Sequence, residues 1–423
     1  MSSMEKSAIM QPANAVLERR FVAERLLSPH QAVARFMAQQ RIGPLEIETA
    51  GLIEACGRVL AHQIRADADY PNAPRSAMDG IAVAARATPG RFVLRGDVRM
   101  GGAAPLEVGA GSAMRIPTGG VLPRGADAVV PIEDIEVDGD AATVAQAVAE
   151  NANVIAAAAD MRAGETLLQP GRRLRPADVA LLAALGVTRI PVYRRPVVGV
   201  FSSGDELVEP FRAAEPGQIR DSNRYGISAA LRVLGAEPRQ YEILADEPEA
   251  VARALRGALS DCDAVAVTGG SSVGARDRLP GVVERLGEPG IVVHGLRVKP
   301  GKPTLLGAHR GKPIFGLPGN PTSALVMFQA VVAPIVASLV GAPYDVPAQW
   351  GRLAAPLRSR AGWTWYVPVR LEDDGARSLA HPLPLRSFAV SLIARADGFV
   401  VMEENDVQWR AGKTVRVCRF LGG

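Results

Sequence analysis

Apolar and polar positions change their spacing several times along the 423-residue chain. From Ser28 onward apolar residues recur at helical spacing, and a second helix is predicted at about 50–62. Between residues 65 and 148 short apolar runs stand between glycines and prolines, which predicts the strands of a small β-rich domain. A short helix is predicted at 175–185, and it should end at Gly186.

A different pattern covers residues 196–340. Apolar runs such as VVGVF, AVAV and PIFGL alternate with helical segments, among them 222–234, which ends at Gly235, and 247–259. This alternation predicts βαβ units on a parallel sheet that is covered on both faces. After about residue 345 short strands and turns return, and they predict a second small β domain.

The segment 321–340, PTSALVMFQAVVAPIVASLV, carries no charge and is long enough to span a bilayer. Gln329 and Pro334 interrupt it, its flanks have no lysine or arginine bias, and it begins directly at a Gly-Asn-Pro turn. We therefore predict a helix buried in the α/β domain and no membrane as a partner. The N-terminus has no apolar core of a signal peptide, which favours a cytoplasmic protein.

The composition is that of a globular protein, with 48% hydrophobic residues, 22% charged residues and a net charge of +4. The charge is small and no basic run or basic patch with aromatic residues occurs, which argues against nucleic acid as a partner. Cys56, Cys262 and Cys418 are widely spaced and are expected to be buried thiols in a reducing compartment. The five histidines are scattered without a metal-binding spacing.

Three glycine-rich turns directly follow apolar strand candidates: FSSGDEL at 201–207, VTGGSSVGARD at 267–277 and GLPGNPTSA at 316–324. The carboxyl ends of parallel strands meet at one edge of a sheet, where ligands bind. Backbone N–H groups and hydroxyls in such turns can surround an anion, and a helix that follows favours negative charge at its start. One such turn is typical of a tight connection, but three at equivalent positions favour a site for a phosphate-bearing ligand.

Charged residues accompany these turns. Asp205, Glu206 and Asp277 offer hard oxygen ligands, which suit magnesium bound beside substrate phosphates. RVKPGKP carries Lys299 and Lys302, although only five of the 48 basic residues in the chain are lysines. Two ammonium groups on a turn stiffened by prolines suit a polyanionic ligand better than they suit a solvated surface. No GxxxxGK[ST] motif occurs, and no GxGxxG follows a strand with a suitably placed acid, so neither a P-loop nor a Rossmann site is predicted.

The β-rich segment adds two further turns. SAMDGIAV places Asp79 before a strand, and RIPTGGVLPRGADAVVPIE contains Thr118. Each alone is typical of an ordinary turn. Together with SSGDEL, DSN, VTGGSSVGARD, VKPGKP and GLPGNPTSA, in this order and spacing, they resemble the molybdopterin molybdenumtransferase family, which includes bacterial MoeA and the E domain of gephyrin-type proteins. The resemblance runs from about residue 28 to the C-terminus.

The resemblance implies a multidomain fold of α/β plus β type. A central α/β molybdopterin-binding domain with a parallel or mixed sheet is flanked by two small β-rich domains and a helical or mixed linker domain. The implied boundaries are 24–64 and 158–192 for the linker and dimerisation domain, 65–157 for the β-rich domain, 193–342 for the α/β domain and 343–423 for the C-terminal β domain. An elongated homodimer is also implied, with a cleft between the α/β domain of one subunit and the β-rich domain of the other.

The implied reaction is the magnesium-dependent insertion of molybdate into adenylylated molybdopterin, with release of AMP. The resemblance assigns catalytic roles to Asp79, Thr118, Glu206, Asp277, Lys299 and Lys302. It assigns magnesium ligation to Asp205, Glu206 and Asp277. It assigns binding of the substrate pterin and phosphate to Ser202, Gly204, Asp221, Ser222, Thr268, Gly269, Gly270, Ser271, Ser272, Gly274, Pro318, Gly319, Asn320, Pro321 and Ser387. The molybdopterin adenylyltransferase that supplies the substrate is the implied protein partner.

The chain departs from the family pattern at three turns. They are Ala73-Pro74-Arg75 in place of Phe-Asp-Asn, Gly164-Glu165-Thr166 in place of Gly-Glu-Asp, and Arg386-Ser387-Phe388 in place of a Gly-Ser-His-like turn. Two alternatives to the enzyme therefore stay open. One is a protein that binds or carries molybdopterin or molybdenum cofactor without catalysis, and the other is an assembly scaffold that binds partner peptides. The enzyme is favoured because the chain retains the acids Asp79, Asp205, Glu206 and Asp277.

Overall fold

The computed structural model describes residues 26–102, 107–245, 247–270, 278–373 and 378–422. The chain divides into two compact units. Among the described residues, the first comprises 26–61, Gly171–Val179 and 188–422, and the second comprises His62–Pro170 and Ala180–Val187. The helices of the described residues are Pro29–Gln40, Pro176–Ala184, Asn223–Leu234, Pro248–Asp261, Leu279–Arg285, Pro321–Met327, Ala333–Val340 and Val390–Arg395, with short 3-10 helices at Ala85–Ala87 and Ile132–Asp134 and a π-helical segment at Phe328–Val332.

The first helix, Pro29–Gln40, begins where its cap predicts. The Ser28 hydroxyl accepts a hydrogen bond from the Gln31 N–H (3.3 Å), and the Gln31 side chain accepts one from the Ser28 N–H (3.0 Å). This reciprocal pair satisfies two backbone donors that a helix start leaves open. The helix ends at Arg41, whose φ of 51° places it in the left-handed region.

The predicted helix at 50–62 is wrong. Its first residue ends the strand Ile47–Ala50, which pairs antiparallel with Ile190–Tyr193, and a turn follows. Gly57 has a φ of +77°, and its N–H donates to the Leu174 carbonyl instead of to a helical partner. Cys56 lies in this turn and is exposed, so the expectation of a buried thiol is also wrong there, whereas Cys262 is buried. Pairing with distant segments therefore overrides the local apolar spacing.

The central sheet of the first unit has six strands in the order Glu237–Gln240, Val197–Ser202, Ala264–Thr268, Lys312–Leu317, Leu305–His309 and Pro289–His294. The first four strands are parallel, which confirms the predicted βαβ alternation. The last two are antiparallel and make the sheet mixed. Outside this sheet Leu207–Val208 pairs in parallel with Ile219–Arg220.

Helices cover both faces of this sheet. On one face Ile227 and Leu231 of Asn223–Leu234 pack with Phe315 and with the segment 321–340. On the other face Leu255 and Val282 belong to a cluster with strand residues of the sheet. The segment 321–340 has the length and composition to cross a membrane, but 78% of its apolar window is buried inside the protein, which confirms the predicted core helix.

The C-terminal segment of the first unit forms a second six-stranded sheet. Its strands lie in the order Val298–Lys299, Thr364–Asp373, Ser378–Pro382, Ala348–Leu353, Thr414–Arg419 and Gly398–Met402. Thr364–Asp373 also pairs with Gly398–Met402, so five strands close into a barrel. The remaining strand, Val298–Lys299, comes from the α/β segment and pairs in parallel with residues 364–365. A two-stranded ladder joins Leu357–Arg358 to Gln408–Trp409.

The second unit contains the predicted β-rich segment. Its six-stranded sheet has the order Ala128–Pro131, Gly80–Val83, Ser112–Ile116, Gly90–Asp97, Ala141–Val144 and Ile135–Asp138. Two short ladders join Val154–Ile155 to Arg75–Ser76 and Thr166–Leu168 to Ile64–Arg65. The fold is thus multidomain, with an α/β sheet and two separate β sheets, while the exact four-domain division stays a prediction.

Candidate functional site

The three predicted glycine-rich turns meet at the carboxyl edge of the central sheet. The Ser203 N–H donates to the Thr268 carbonyl (2.9 Å), and the Gly269 N–H donates to the Leu317 carbonyl (3.0 Å). Gly269 has a φ of +89°, and a Cβ atom there would lie 2.3 Å from the Ser203 carbonyl oxygen. Only glycine therefore fits this position. Gly270 follows with a φ of +62°, whereas Ser271, Ser272, Gly274 and Asp277 lie outside the described residues.

A buried polar network lies beneath this edge. The Ser202 hydroxyl donates to Asp221 Oδ1 (2.9 Å) and lies 2.9 Å from the Thr268 hydroxyl. These three side chains are at most 2% exposed. Asp221 also lies 3.2 Å from Arg224 Nε, and Arg224 donates to both oxygens of Glu209 (2.6 Å each). The side chains of Ser202, Thr268 and Asp221 thus bond to one another and fix the turns from below.

The DSN motif, Asp221 to Asn223, connects this network to the third turn. Asn223 Nδ2 donates to the Gly319 carbonyl (2.7 Å), while Ser222 stands at the start of the helix Asn223–Leu234 without a capping bond from its side chain. Gly319 is close enough to the second turn that a Cβ atom on it would lie 3.6 Å from the Gly269 Cα atom. The motif therefore holds the second and third turns in register.

Two predicted metal ligands belong to the first turn. Asp205 and Glu206 are exposed, and the Glu206 carboxylate lies beside Gly204, where a Cβ atom would be 2.7 Å from Oε2. Their oxygens are hard donors and fit magnesium. Within the described residues no three His, Cys, Asp or Glu side chains lie close enough together to hold a metal ion, and the third predicted ligand, Asp277, is outside them. The magnesium site stays a prediction.

A cavity of about 510 Å³ lies beside the third turn. Lys299 and Lys302 both line it together with Pro318 and Asn320, as expected for two lysines that face the same ligand. The full lining is Val298, Lys299, Pro300, Gly301, Lys302, Pro303, Pro318, Asn320, Ser323, Arg360, Trp363, Trp365, Leu385 and Ser387. The cavity therefore joins cations and hydroxyls to an apolar wall, and its size is typical of a small-molecule site.

The sequence motifs do not predict the part of the cavity wall that the C-terminal β segment supplies. Arg360, Trp363, Trp365 and Leu385 were not predicted as site residues, although all four line the cavity. One signal was present in the sequence, because the pattern Trp-Thr-Trp at 363–365 predicts two tryptophans on the same face if the segment is extended. Lys299 Nζ lies 4.2 Å from the Trp365 ring centroid.

The turn at Ser387 is attached to the third glycine-rich turn. Asn320 Nδ2 donates to the Ser387 hydroxyl (3.3 Å), and the Thr322 N–H donates to the Ser387 carbonyl (3.1 Å). The Thr322 hydroxyl donates to the Ala389 carbonyl (2.9 Å). Pro321, at the first helical position, has no N–H to donate. The start of this helix thus anchors Ser387 at the cavity wall.

In the second unit, Asp79 directly precedes the strand Gly80–Val83, and Thr118 follows the strand Ser112–Ile116. The antiparallel pairing of these two strands brings Asp79 and Thr118 together. Asp79 Oδ1 accepts hydrogen bonds from the Thr118 N–H (2.6 Å) and the Thr118 hydroxyl (3.0 Å). These two bonds, the backbone bond first, lower the pKa of the exposed Asp79 carboxyl. This end of the β-rich sheet therefore presents an ionised Asp79 carboxylate that two hydrogen bonds hold in one orientation.

Models of protein families match the chain over three segments. Residues 27–186 match the MoeA N-terminal region (domain I and II), residues 199–338 match the "Probable molybdopterin binding domain", and residues 351–420 match the MoeA C-terminal region (domain IV). The three matches follow one another in the order that the sequence motifs predict.

Curated relatives and solved structures agree with these matches. The molybdopterin molybdenumtransferase of Bacillus subtilis is 32% identical over 92% of this chain and 92% of its own length. That of Haemophilus influenzae is 35% identical over 91% of this chain and 96% of its own. Two structures of a molybdopterin biosynthesis MoeA protein from Pyrococcus horikoshii have TM-scores of 0.82, with 32% and 28% identity, and cover 94% and 93% of this chain and 100% of theirs. The chain therefore belongs to the molybdopterin molybdenumtransferase (MoeA) family.

Proposed function

We propose that this protein is a molybdopterin molybdenumtransferase, which inserts molybdate into adenylylated molybdopterin and releases AMP. The observation that carries the proposal is the cavity in which Lys299, Lys302 and Arg360 stand beside the glycine-rich turns. Relatives that span most of the chain carry the transferase name, which favours the enzyme over a carrier or a scaffold.

The glycine-rich turns are proposed to hold the terminal phosphate and pterin of the substrate. Gly269 and Gly270 keep the backbone free of side chains at the sheet edge, so that N–H groups of this turn can approach an anion. Ser202, Thr268 and Asp221 are buried and serve the site by holding the turns. Binding by Ser271, Ser272 and Gly274 stays a prediction.

Magnesium is the proposed cofactor, held by Asp205, Glu206 and Asp277. When bound, the ion offsets the negative charge of the phosphoanhydride that breaks as AMP leaves. The exposed carboxylates of Asp205 and Glu206 support this assignment, because magnesium prefers a few carboxylates together with phosphate oxygens and water.

Molybdate is proposed to bind in the cationic cavity. Lys299, Lys302 and Arg360 carry positive charge toward a dianion, and the hydroxyl of Ser387 and the amide of Asn320 add polar groups. These groups bring the oxyanion to the substrate and stabilise the charge that develops. An oxygen of molybdate or of water would attack the phosphoanhydride and AMP would leave, so the reaction needs no nucleophile from the protein.

A homodimer is proposed from the resemblance. In it Asp79 and Thr118 of one subunit complete the site of the other, and their fixed, exposed pair supports a role in binding. The molybdopterin adenylyltransferase is the proposed source of the substrate, and the cytoplasm is the proposed location. Sedimentation that shows a fully active monomer would contradict the dimer.

The deciding experiment is incubation of the purified protein with adenylylated molybdopterin, magnesium and molybdate. AMP should appear only when molybdate and magnesium are both present, and the pterin product should contain molybdenum. The control is Lys413→Ala, which removes a lysine that contacts Trp409 rather than the cavity. A wild-type protein that binds the nucleotide but releases no AMP would refute the enzyme and favour the carrier alternative.

A further inference from the structure

Two of the four tryptophans in the chain stand at the cationic cavity. Trp363 and Trp365 flank the buried Thr364 at the start of one strand and are themselves half-buried. Trp365 lies on the strand Thr364–Asp373 and Trp363 directly precedes it, and both side chains line the cavity. Neither residue has a role in the proposed reaction so far, although both line the place where its oxyanion binds.

Trp365 is the register partner of Lys299 in the ladder that joins the α/β segment to the C-terminal sheet. The ammonium group lies 4.2 Å from the indole centroid, well within the range of a cation–π interaction. Among the described residues no carboxylate forms an ion pair with Lys299. An aromatic face can therefore hold this lysine in place without neutralising it, whereas an acid would cancel the charge that an oxyanion needs.

Trp363 stands in a similar relation to two other cations. A turn joins it to Arg360, whose carbonyl accepts from the Trp363 N–H (3.2 Å), and Gly362 in that turn has a φ of +77°. The Arg360 guanidinium carbon lies 5.5 Å from the Trp363 centroid, and Lys302 Nζ lies 6.0 Å from it. All three cations of the cavity are thus near an indole face.

We infer that Trp365 and Trp363 are positioning residues, which hold Lys299, Lys302 and Arg360 ready for a tetrahedral oxyanion. The inference rests on the proposed function, since that oxyanion is molybdate. It adds that the affinity for molybdate depends on uncharged side chains that act through the cations. Trp365 is easier to test than Trp363, because it contacts only one of the three cations of the cavity, Lys299.

The test is equilibrium binding of molybdate, measured by titration calorimetry without the pterin substrate, to the wild type, Trp365→Leu, Trp365→Phe, Lys299→Ala and the Trp365→Leu/Lys299→Ala double variant. Trp365→Leu should weaken binding by about two- to fivefold, the range of a cation–π contact with an exposed lysine. Trp365→Phe should lose less, because phenylalanine keeps an aromatic face. The substitution should have no further effect once Lys299 is alanine, because coupled residues are not additive.

Trp350→Leu is the matched control. Trp350 belongs to the same sheet but is 68% exposed and does not line the cavity, so its removal should leave molybdate binding unchanged. If Trp365→Leu does not fold, the inference is tested with Trp365→Phe alone and with Trp365→Phe combined with Lys299→Ala. Its partial loss should disappear in the Lys299→Ala background.

Equal losses in the two Lys299 backgrounds would overturn the inference, and so would a wild type that does not bind molybdate. Equal losses for Trp365→Leu and Trp365→Phe would also overturn it, because they would show that the aromatic face is irrelevant. A wild type that binds molybdate with the expected coupling but releases no AMP refutes the proposed function and supports the inference.

Discussion

Replacing Asp221 by asparagine tests the buried network under the glycine-rich turns. Asp221 is 2% exposed and Arg224 is 3% exposed, so both charges are withdrawn from water. The Asp221→Asn variant would keep an acceptor for the Ser202 hydroxyl but would lose the charge that faces Arg224 Nε at 3.2 Å. The guanidinium would then depend on Glu209 and on the Tyr241 carbonyl.

The expected cost follows from these contacts. Removing one partner of a buried ion pair costs about 3–5 kcal/mol when the other charge is left alone. Arg224 keeps both oxygens of Glu209, and its Nε contact with Asp221 is an ion pair without hydrogen-bond geometry, so the loss should be smaller, about 1.5–3 kcal/mol. For a unit of about 300 residues that loss corresponds to a fall of about 2–5 °C in Tm.

Differential scanning calorimetry at a fixed scan rate measures this fall, with Asp261→Asn as the control. Asp261 is 63% exposed and pairs with Arg239 at 3.7 Å, so losing its charge should cost less than about 1 kcal/mol. If both variants have the Tm of the wild type, Glu209 alone satisfies Arg224 and the argument for a stabilising network is refuted.

Three further predictions follow from single contacts. The guanidinium of Arg172 lowers the pKa of Asp178 to about 2. A carboxyl whose pKa is lowered in the folded state stabilises the fold at pH values above its ordinary pKa. Asp178→Asn should therefore lower the free energy of unfolding by about 1–2 kcal/mol at pH 7. About half of that cost should remain at pH 3 in thermal unfolding, and a pH-independent difference would contradict the assignment. Gly269→Ala should lower Tm and nucleotide affinity, because the new Cβ atom would meet the Ser203 carbonyl. The control, Gly257→Ala, lies in open space on a helix and should not lower Tm. Equal Tm values for the two variants would refute this prediction. Lys302→Ala should raise the molybdate concentration for half-maximal AMP release about tenfold to a hundredfold, and a loss of nucleotide affinity instead would move Lys302 to the phosphate site.

The sequence predicts the sheet edge well because its determinants are local. The strand before each glycine-rich turn is a short, buried apolar run, and Gly204, Gly269 and Gly270 stand where the backbone adopts a positive φ. The helix Asn223–Leu234 ends at Gly235, with a φ of +89°, as its position after the last apolar residue indicates. Each of these features depends on residues within a few positions of one another.

The cavity wall is harder to predict because its determinants are far apart in sequence. Lys299 and Trp365 become neighbours only through a two-residue ladder between segments that are otherwise in different domains of the prediction. The failure at 50–62 has the same origin, since the strand Ile47–Ala50 finds its partner near residue 190. Periodicity describes which face of an element is apolar, but it does not say which distant strand will pair with that element.

The two parts of the site should therefore respond differently to substitution. The sheet edge is fixed by backbone hydrogen bonds and a buried network, so damage there should lower stability and nucleotide affinity together. The cations of the cavity are exposed and are held by indoles of the C-terminal sheet, so their loss should change molybdate affinity with little effect on stability. The Val298–Lys299 strand contributes to this separation, because its pairing with the C-terminal sheet places Lys299 against Trp365 and not in the buried network beneath the glycine-rich turns.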